Sequence, residues 1–120
     1  MSISKLAIFG AGGHAKVIVD IIESQPSCEL VGFIDDSLTV GTRILGHAVI
    51  GGKNSLPQLM RRYEFSKGII GIGDNYVRSK LVEEIYTIVA DFEFVNCIHK
   101  SANISNHCHV GVGNVVMPGV

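Results

Sequence analysis

The chain has 120 residues, 47% of them apolar and 18% charged, with a formal net charge of −1. That composition fits one globular unit with a real core, or a small domain plus a fragment, and excludes a disordered chain. The near-neutral charge speaks against nucleic acid or an acidic membrane surface as partner.

The apolar runs fall far short of the ~20 residues that span a bilayer. Lys5 followed by a four-residue apolar run does not make a signal peptide, so a cytoplasmic protein with no membrane partner is expected. Cys28, Cys97 and Cys108 are odd in number and lack C-x-x-C spacing, which suits reduced structural thiols. His107-Cys108-His109 is the one metal-like cluster. Neighbours on an extended chain point to opposite faces, so no metal is expected there.

Residues 6–20 read as strand, glycine turn and helix. Leu6 to Phe9 is an apolar run, Gly10, Gly12 and Gly13 follow, and Val17, Ile18, Ile21 and Ile22 fall at helical spacing. The spacing predicts a strand over 5–9 and a helix over 14–24. The turn reads G-x-G-x-x-A, with Ala15 last. Its first glycine permits a tight turn, its second lets a ligand approach the backbone, and a small last residue lets helix and strand pack closely. The open N–H groups of a helix start favour an anion, usually a phosphate. His14 sits at that start and is a candidate ligand contact, though a surface histidine is the plainer explanation.

Residues 29–34 read as a second strand ending at Asp35-Asp36, completing a βαβ unit of about 30 residues. A carboxylate at the carboxyl edge of a parallel sheet can accept from a ribose hydroxyl or a base N–H. Either residue could instead serve a turn or cap; Asp35 is weakly preferred over Asp36. Residues 37–47 are expected as a loop, with a short strand over 47–50. Leu56, Leu59 and Met60 predict a helix over 54–63, with Pro57 in its first turn. Residues 68–72 read as a buried strand leading into Gly73-Asp74-Asn75.

Asp74 or Asn75 can cap the next helix, whose apolar face is Val77, Leu81, Ile85, Ile88 and Val89. Gly73 and Asn75 are candidate substrate contacts on the same sheet edge. Arg78, one turn beyond Asp74, is a candidate for a phosphate or an ordinary exposed charge. Glu83-Glu84 reads as a solvated helix face. Residues 93–96 close the alternating pattern, a small doubly wound α/β domain over 1–96.

Beyond residue 96 the period changes. Ile98, Ile104, Val110 and Val116 recur every six residues, and Ala102, Cys108, Asn114 and Val120 hold the fifth position of each unit. A six-residue period marks a hexapeptide repeat in a parallel β-helix, about 18 residues per coil. Residues 97–120 amount to little more than one coil, whereas such repeats need about three stacked units. The expectation is the N-terminal portion of a longer protein; an irregular tail is the alternative.

Four separated stretches together carry a family resemblance: Ile8-Phe9-Gly10-Ala11-Gly12-Gly13-His14; Phe33-Ile34-Asp35-Asp36; Gly71-Ile72-Gly73-Asp74-Asn75 with Arg78; and Ile98-His99-Lys100-Ser101-Ala102 with Ile104-Ser105. The sequence resembles the bacterial sugar O- and N-acetyltransferases of the sialic-acid and bacillosamine type. The resemblance implies a Rossmann-like nucleotide-sugar domain followed by a left-handed β-helix. It implies a homotrimer that binds acetyl-CoA between neighbouring β-helices. It also implies a histidine base on a later coil, beyond residue 120, so that His99, His107 and His109 are not catalytic and this chain has no catalytic residue. The substrate-binding candidates are Gly10, Gly12, Gly13, His14, Asp35, Asp36, Gly73, Asn75 and Arg78. Two other readings compete. One is an NAD(P)-binding regulatory or redox domain, since G-x-G-x-x-A with a later acidic residue is also the dinucleotide fingerprint. The other is a structural trimerisation piece.

Overall fold

The computed structural model describes residues 3–12, 14–98, 108–110 and 115–116. Gly13, a candidate from the glycine loop, lies outside them, as do His99, His107 and most of the six-residue repeat. Eight strands and three α-helices are described: β1 (Ser4–Phe9), α1 (Ala15–Glu23), β2 (Cys28–Ile34), β3 (Arg43–Ile44), β4 (His47–Gly51), α2 (Leu56–Tyr63), β5 (Lys67–Ile70), α3 (Asn75–Ile88), β6 (Glu93–Ile98), β7 (Cys108–Val110) and β8 (Val115–Val116).

Strands β4, β2, β1, β5 and β6 lie side by side in that order, and each neighbouring pair is parallel. This is the expected Rossmann-like α/β architecture. The two-residue β3 adds an antiparallel edge to β4. On the far side β7 pairs antiparallel and β8 parallel with β6, which runs on to Ile98.

Side-chain alternation splits the core into two layers. Leu6 and Ile8 of β1, Phe33, Val49, Ile69 and Val95 face α1, which buries Ala15, Ile18, Val19, Ile21 and Ile22. Ala7, Phe9, Ile34, Ile50, Ile70 and Phe94 face the other way, onto Leu56 and Leu59 of α2, Phe65, Phe92 and Ile85 of α3. Phe9, Phe92 and Phe94 form an aromatic cluster, with centroids 5.5 Å apart for Phe9–Phe92 and 5.2 Å for Phe92–Phe94, both edge-on. Gly68 makes room for it: a Cβ there would lie 2.7 Å from Cε2 of Phe9.

The loop expected over 37–47 instead contains a hairpin. Arg43 pairs with Ala48 and Ile44 with His47 across a two-residue turn, Leu45-Gly46, in which both residues have positive φ (54° and 84°). Twist matching favours that turn, but leucine is not its usual first residue, which hid it from sequence reading. The helix expected over 54–63 starts at Leu56, after a 3₁₀ turn over Lys53–Ser55. Strand β5 ends at Ile70, leaving Gly71 and Ile72 in the loop. Asp74 caps α3: its Oδ1 accepts from the Val77 N–H at 2.9 Å.

Candidate functional site

Two successive parallel strands, β2 and β4, extend the sheet to one side of β1, while β5 and β6 extend it to the other. The order therefore reverses between β1 and β5, the switch point at which open α/β sheets bind ligands beyond their carboxyl ends. Backbone bonds stitch those ends together. The Gly10 N–H donates to Ile34 O (2.9 Å), Asp35 N–H to Gly51 O (3.0 Å), and Gly71 N–H to Phe9 O (2.7 Å). Gly10 holds φ +89°, and a Cβ on it would stand 2.8 Å from Cγ1 of Ile72, so the first fingerprint glycine serves the turn itself.

At this edge opens a cleft of about 450 Å³ between the sheet and α3. Its floor is apolar: Phe9, Ile34, Ile72 and Leu81. Asp35, Asp36, Ser37 and Lys53 form one wall, and Tyr76, Val77, Lys80 and Glu84 of α3 form the other.

Asp35 is committed to the backbone. Its Oδ2 accepts from the Ala11 N–H at 3.0 Å and its Oδ1 from the Ser37 N–H at 2.8 Å, so it ties the glycine loop to the end of β2. Asp36 turns to Lys53: Oδ1 accepts from the Lys53 backbone N–H (3.0 Å) and Oδ2 pairs with its ammonium. A Cβ on Gly52 would strike Asp36 Oδ1, so a glycine is what lets that carboxylate in. Lys53 also reaches Glu84 Oε2 at 3.6 Å, linking the end of β2 to the middle of α3. The Lys53 hydrogen bond holds the Asp36 carboxyl below the usual carboxylate range, against a smaller opposing effect of desolvation. Lys53 is raised in turn, chiefly by its hydrogen bond to Asp36. The walls carry three carboxylates (Asp35, Asp36, Glu84) against two ammoniums (Lys53, Lys80), one negative charge in balance.

Of the residues predicted from sequence, the cleft gathers Gly10, Asp35 and Asp36. Gly12 is exposed, and a Cβ on it would meet nothing within 4 Å. His14 is exposed at the start of α1, makes no side-chain cap, and lays its ring against Gly73, where any Cβ would strike Nε2. The two loops at the switch point thus touch through His14 and Gly73. Asn75 and Arg78 line a different depression on α3, with Ser79, Val82 and Glu83. Glu84, read as a solvated charge, faces the cleft instead.

Ser37, Lys53, Tyr76, Lys80 and Glu84 also line the cleft, and no motif in the sequence singles them out. Lys53 follows the end of β4 as Asp35 follows β2, so the carboxyl-edge rule could have found it. Positions 76, 80 and 84 share one helical stripe, a signal that was open to counting. Among the described residues no three His, Cys, Asp or Glu side chains gather as a metal site, and no helix is long and apolar enough to cross a membrane.

Residues 5–85 match the family model for the PglD N-terminal domain. This chain belongs to that family. The matched segment runs from β1 into α3 and holds every residue that lines the cleft. An uncharacterized protein of Acanthamoeba polyphaga mimivirus, L142, is 32% identical over 120 residues, covering 97% of this chain and 22% of that protein. The UDP-N-acetylbacillosamine N-acetyltransferase of Bacillus subtilis is 30% identical over 114 residues, covering 93% of this chain and 50% of the enzyme. Among solved structures, an H141N mutant of the perosamine N-acetyltransferase of Caulobacter crescentus, in complex with CoA and GDP-perosamine, superposes with a TM-score of 0.73 at 30% identity, over 98% of this chain and 53% of that one. The chain thus spans half or less of the length of the curated relatives it matches.

Proposed function

We propose that this PglD N-terminal domain is the nucleotide-sugar-binding part of an acetyl-CoA-dependent acetyltransferase that acts on a nucleotide-linked amino sugar. The observation that carries the reading is the switch-point cleft, which lies wholly within the segment matched to the family. Relatives named for bacillosamine and perosamine N-acetylation favour an amine acceptor over a sialic-acid hydroxyl.

Charge orients the ligand. A cleft with a net negative wall repels a diphosphate and suits a nucleoside, whose ribose hydroxyls and base N–H groups donate to carboxylates. The diphosphate then runs outward over Gly10 and the open Gly12 toward the start of α1, where backbone N–H groups and the helix dipole favour an anion. His14 and Gly73, in contact at the switch point, would meet the phosphates or the sugar, as would Asn75 and Arg78 from the separate depression on α3.

The six-residue period over 98–120 is read as the first coil of a left-handed β-helix that assembles as a homotrimer. Acetyl-CoA and the general base belong to later coils of that β-helix. On this reading the chain alone presents the sugar and does not transfer acetyl.

Thermal shift of the chain with UDP-, GDP- and CMP-sugars, and with NAD, tests this. A ligand at about 100 times its Kd stabilises by about 2.7 kcal/mol. The expected result is a shift with a nucleotide sugar. A shift with NAD and none with any nucleotide sugar would overturn the proposal in favour of a dinucleotide domain, and acetyl transfer by the chain alone would overturn its division of labour.

A further inference from the structure

We infer that Tyr76 is a nucleobase-stacking residue, so that the first turn of α3 reads the aromatic face of the nucleotide. The inference rests on the nucleotide reading above and assigns the part of the ligand that meets α3.

Tyr76 is 75% exposed, the most exposed of the large apolar side chains, and no hydrogen bond or ring contact engages it among the described residues. The other two tyrosines have ring partners. Tyr86 meets Phe94 edge-on at 5.4 Å, and the Arg62 guanidinium lies 5.6 Å over Tyr63. The neighbouring Val77 is 46% exposed, so the first turn of α3 leaves a two-residue apolar surface in water. Both side chains line the cleft. Core packing does not explain the tyrosine, because the fully buried residue of α3 is Ile85, more than two turns on.

What faces Tyr76 decides the occupant. The opposite wall is polar, built by Asp36, Ser37 and Lys53, and the floor between them is apolar. A group that fits must present a flat π-face to one side and hydrogen-bonding edges to the other. A nucleobase does both. A diphosphate has no π-face and is opposed by the net negative wall. A cleft of about 450 Å³ lies within the roughly 300–1,000 Å³ range of small-molecule sites. A tyrosine side chain has only two χ angles, so stacking costs little conformational entropy. Base–aromatic stacking tolerates any base, which leaves base identity to the polar wall.

The test uses UDP and GDP as nucleotide probes, with ribose 5-phosphate and glucosamine 1-phosphate as probes that lack a base. Tyr76→Ala is expected to weaken the nucleotide that binds by about 10-fold or more, given the usual strength of base stacking. Ribose 5-phosphate binding should stay unchanged, and Tyr76→Phe should stay within about twofold of the parent because the hydroxyl is not needed. The exposed position means that neither variant should lower Tm. The chain has no tryptophan and three tyrosines, so stacking is also visible in tyrosine fluorescence. The nucleotide should quench the parent, and Tyr76→Phe should bind while losing that quench. Nucleotide binding unchanged in Tyr76→Ala would overturn the inference and leave the nucleotide reading intact. Loss of glucosamine 1-phosphate binding instead would assign the ring to the sugar and overturn it too. Failure of the parent chain to bind any nucleotide would remove both.

Discussion

The glycine loop contains two positions that the fingerprint treats alike and the fold does not. Gly10 has φ +89°, and an alanine there must hold a conformation that costs a residue with a Cβ about 1–2 kcal/mol. Its methyl would also sit 2.8 Å from Cγ1 and 3.2 Å from Cδ1 of Ile72, an overpacking that adds about 1–3 kcal/mol unless Ile72 swings into the cleft. Gly10→Ala should therefore lose about 3 kcal/mol of stability. With a urea m-value of about 2 kcal/mol/M, that moves the unfolding midpoint down by roughly 1.5 M. Gly12 has no positive φ, and its added methyl meets nothing within 4 Å. Gly12→Ala should be neutral or stabilising by up to about 1 kcal/mol, because the unfolded chain loses freedom. Yet Gly12→Ala should weaken nucleotide-sugar binding, since the methyl fills space along the proposed path of the diphosphate. Urea melts and a binding titration on both variants check this. Equal destabilisation by the two substitutions, or a neutral Gly10→Ala, would refute the reasoning.

Two further outcomes follow from local geometry. Leu45 adopts φ 54° while 46% exposed, so Leu45→Asn relieves a left-handed strain and gives up little burial; a gain of about 0.5–1 kcal/mol in chemical denaturation is expected, and a loss would show that Leu45 packs usefully. The Asp36–Lys53 pair should make stability depend on pH at both extremes. Asp36, lowered in the fold, contributes above its ordinary value of 3.8 and loses that contribution as pH falls through the lower folded value. Lys53, raised in the fold, contributes fully below its ordinary value of 10.5 and loses that as pH rises through the higher one. Asp36→Asn should cost up to about 1 kcal/mol at neutral pH, as for a partly exposed pair, with the difference closing toward acid; a gap that persists unchanged in acid would contradict the pairing.

Residue sequence alone determined the features that a continuous stretch of chain encodes. The strand, turn and helix of residues 4–23 were legible because apolar period, glycine spacing and helix start all lie within one segment. Asp35 and Asp36 were legible as the end of a strand. A cap at Asp74 or Asn75 was legible because capping is decided within one turn; the fold uses Asp74. The hairpin at Leu45-Gly46 was not, because its turn uses a leucine where asparagine or aspartate gives the usual signal. Which polar residues share a cleft was decided only by the tertiary fold. The reversal of strand order between β1 and β5 carries α3 across to the end of β2, so Lys53 meets both Asp36 and Glu84 from distant parts of the chain. Helix geometry puts Tyr76 and Arg78 on different faces, and the fold decided that the face with Tyr76 meets the sheet edge. A helix face becomes a site only once a sheet edge stands opposite it, and a contact between distant segments depends on register and packing that no local pattern specifies.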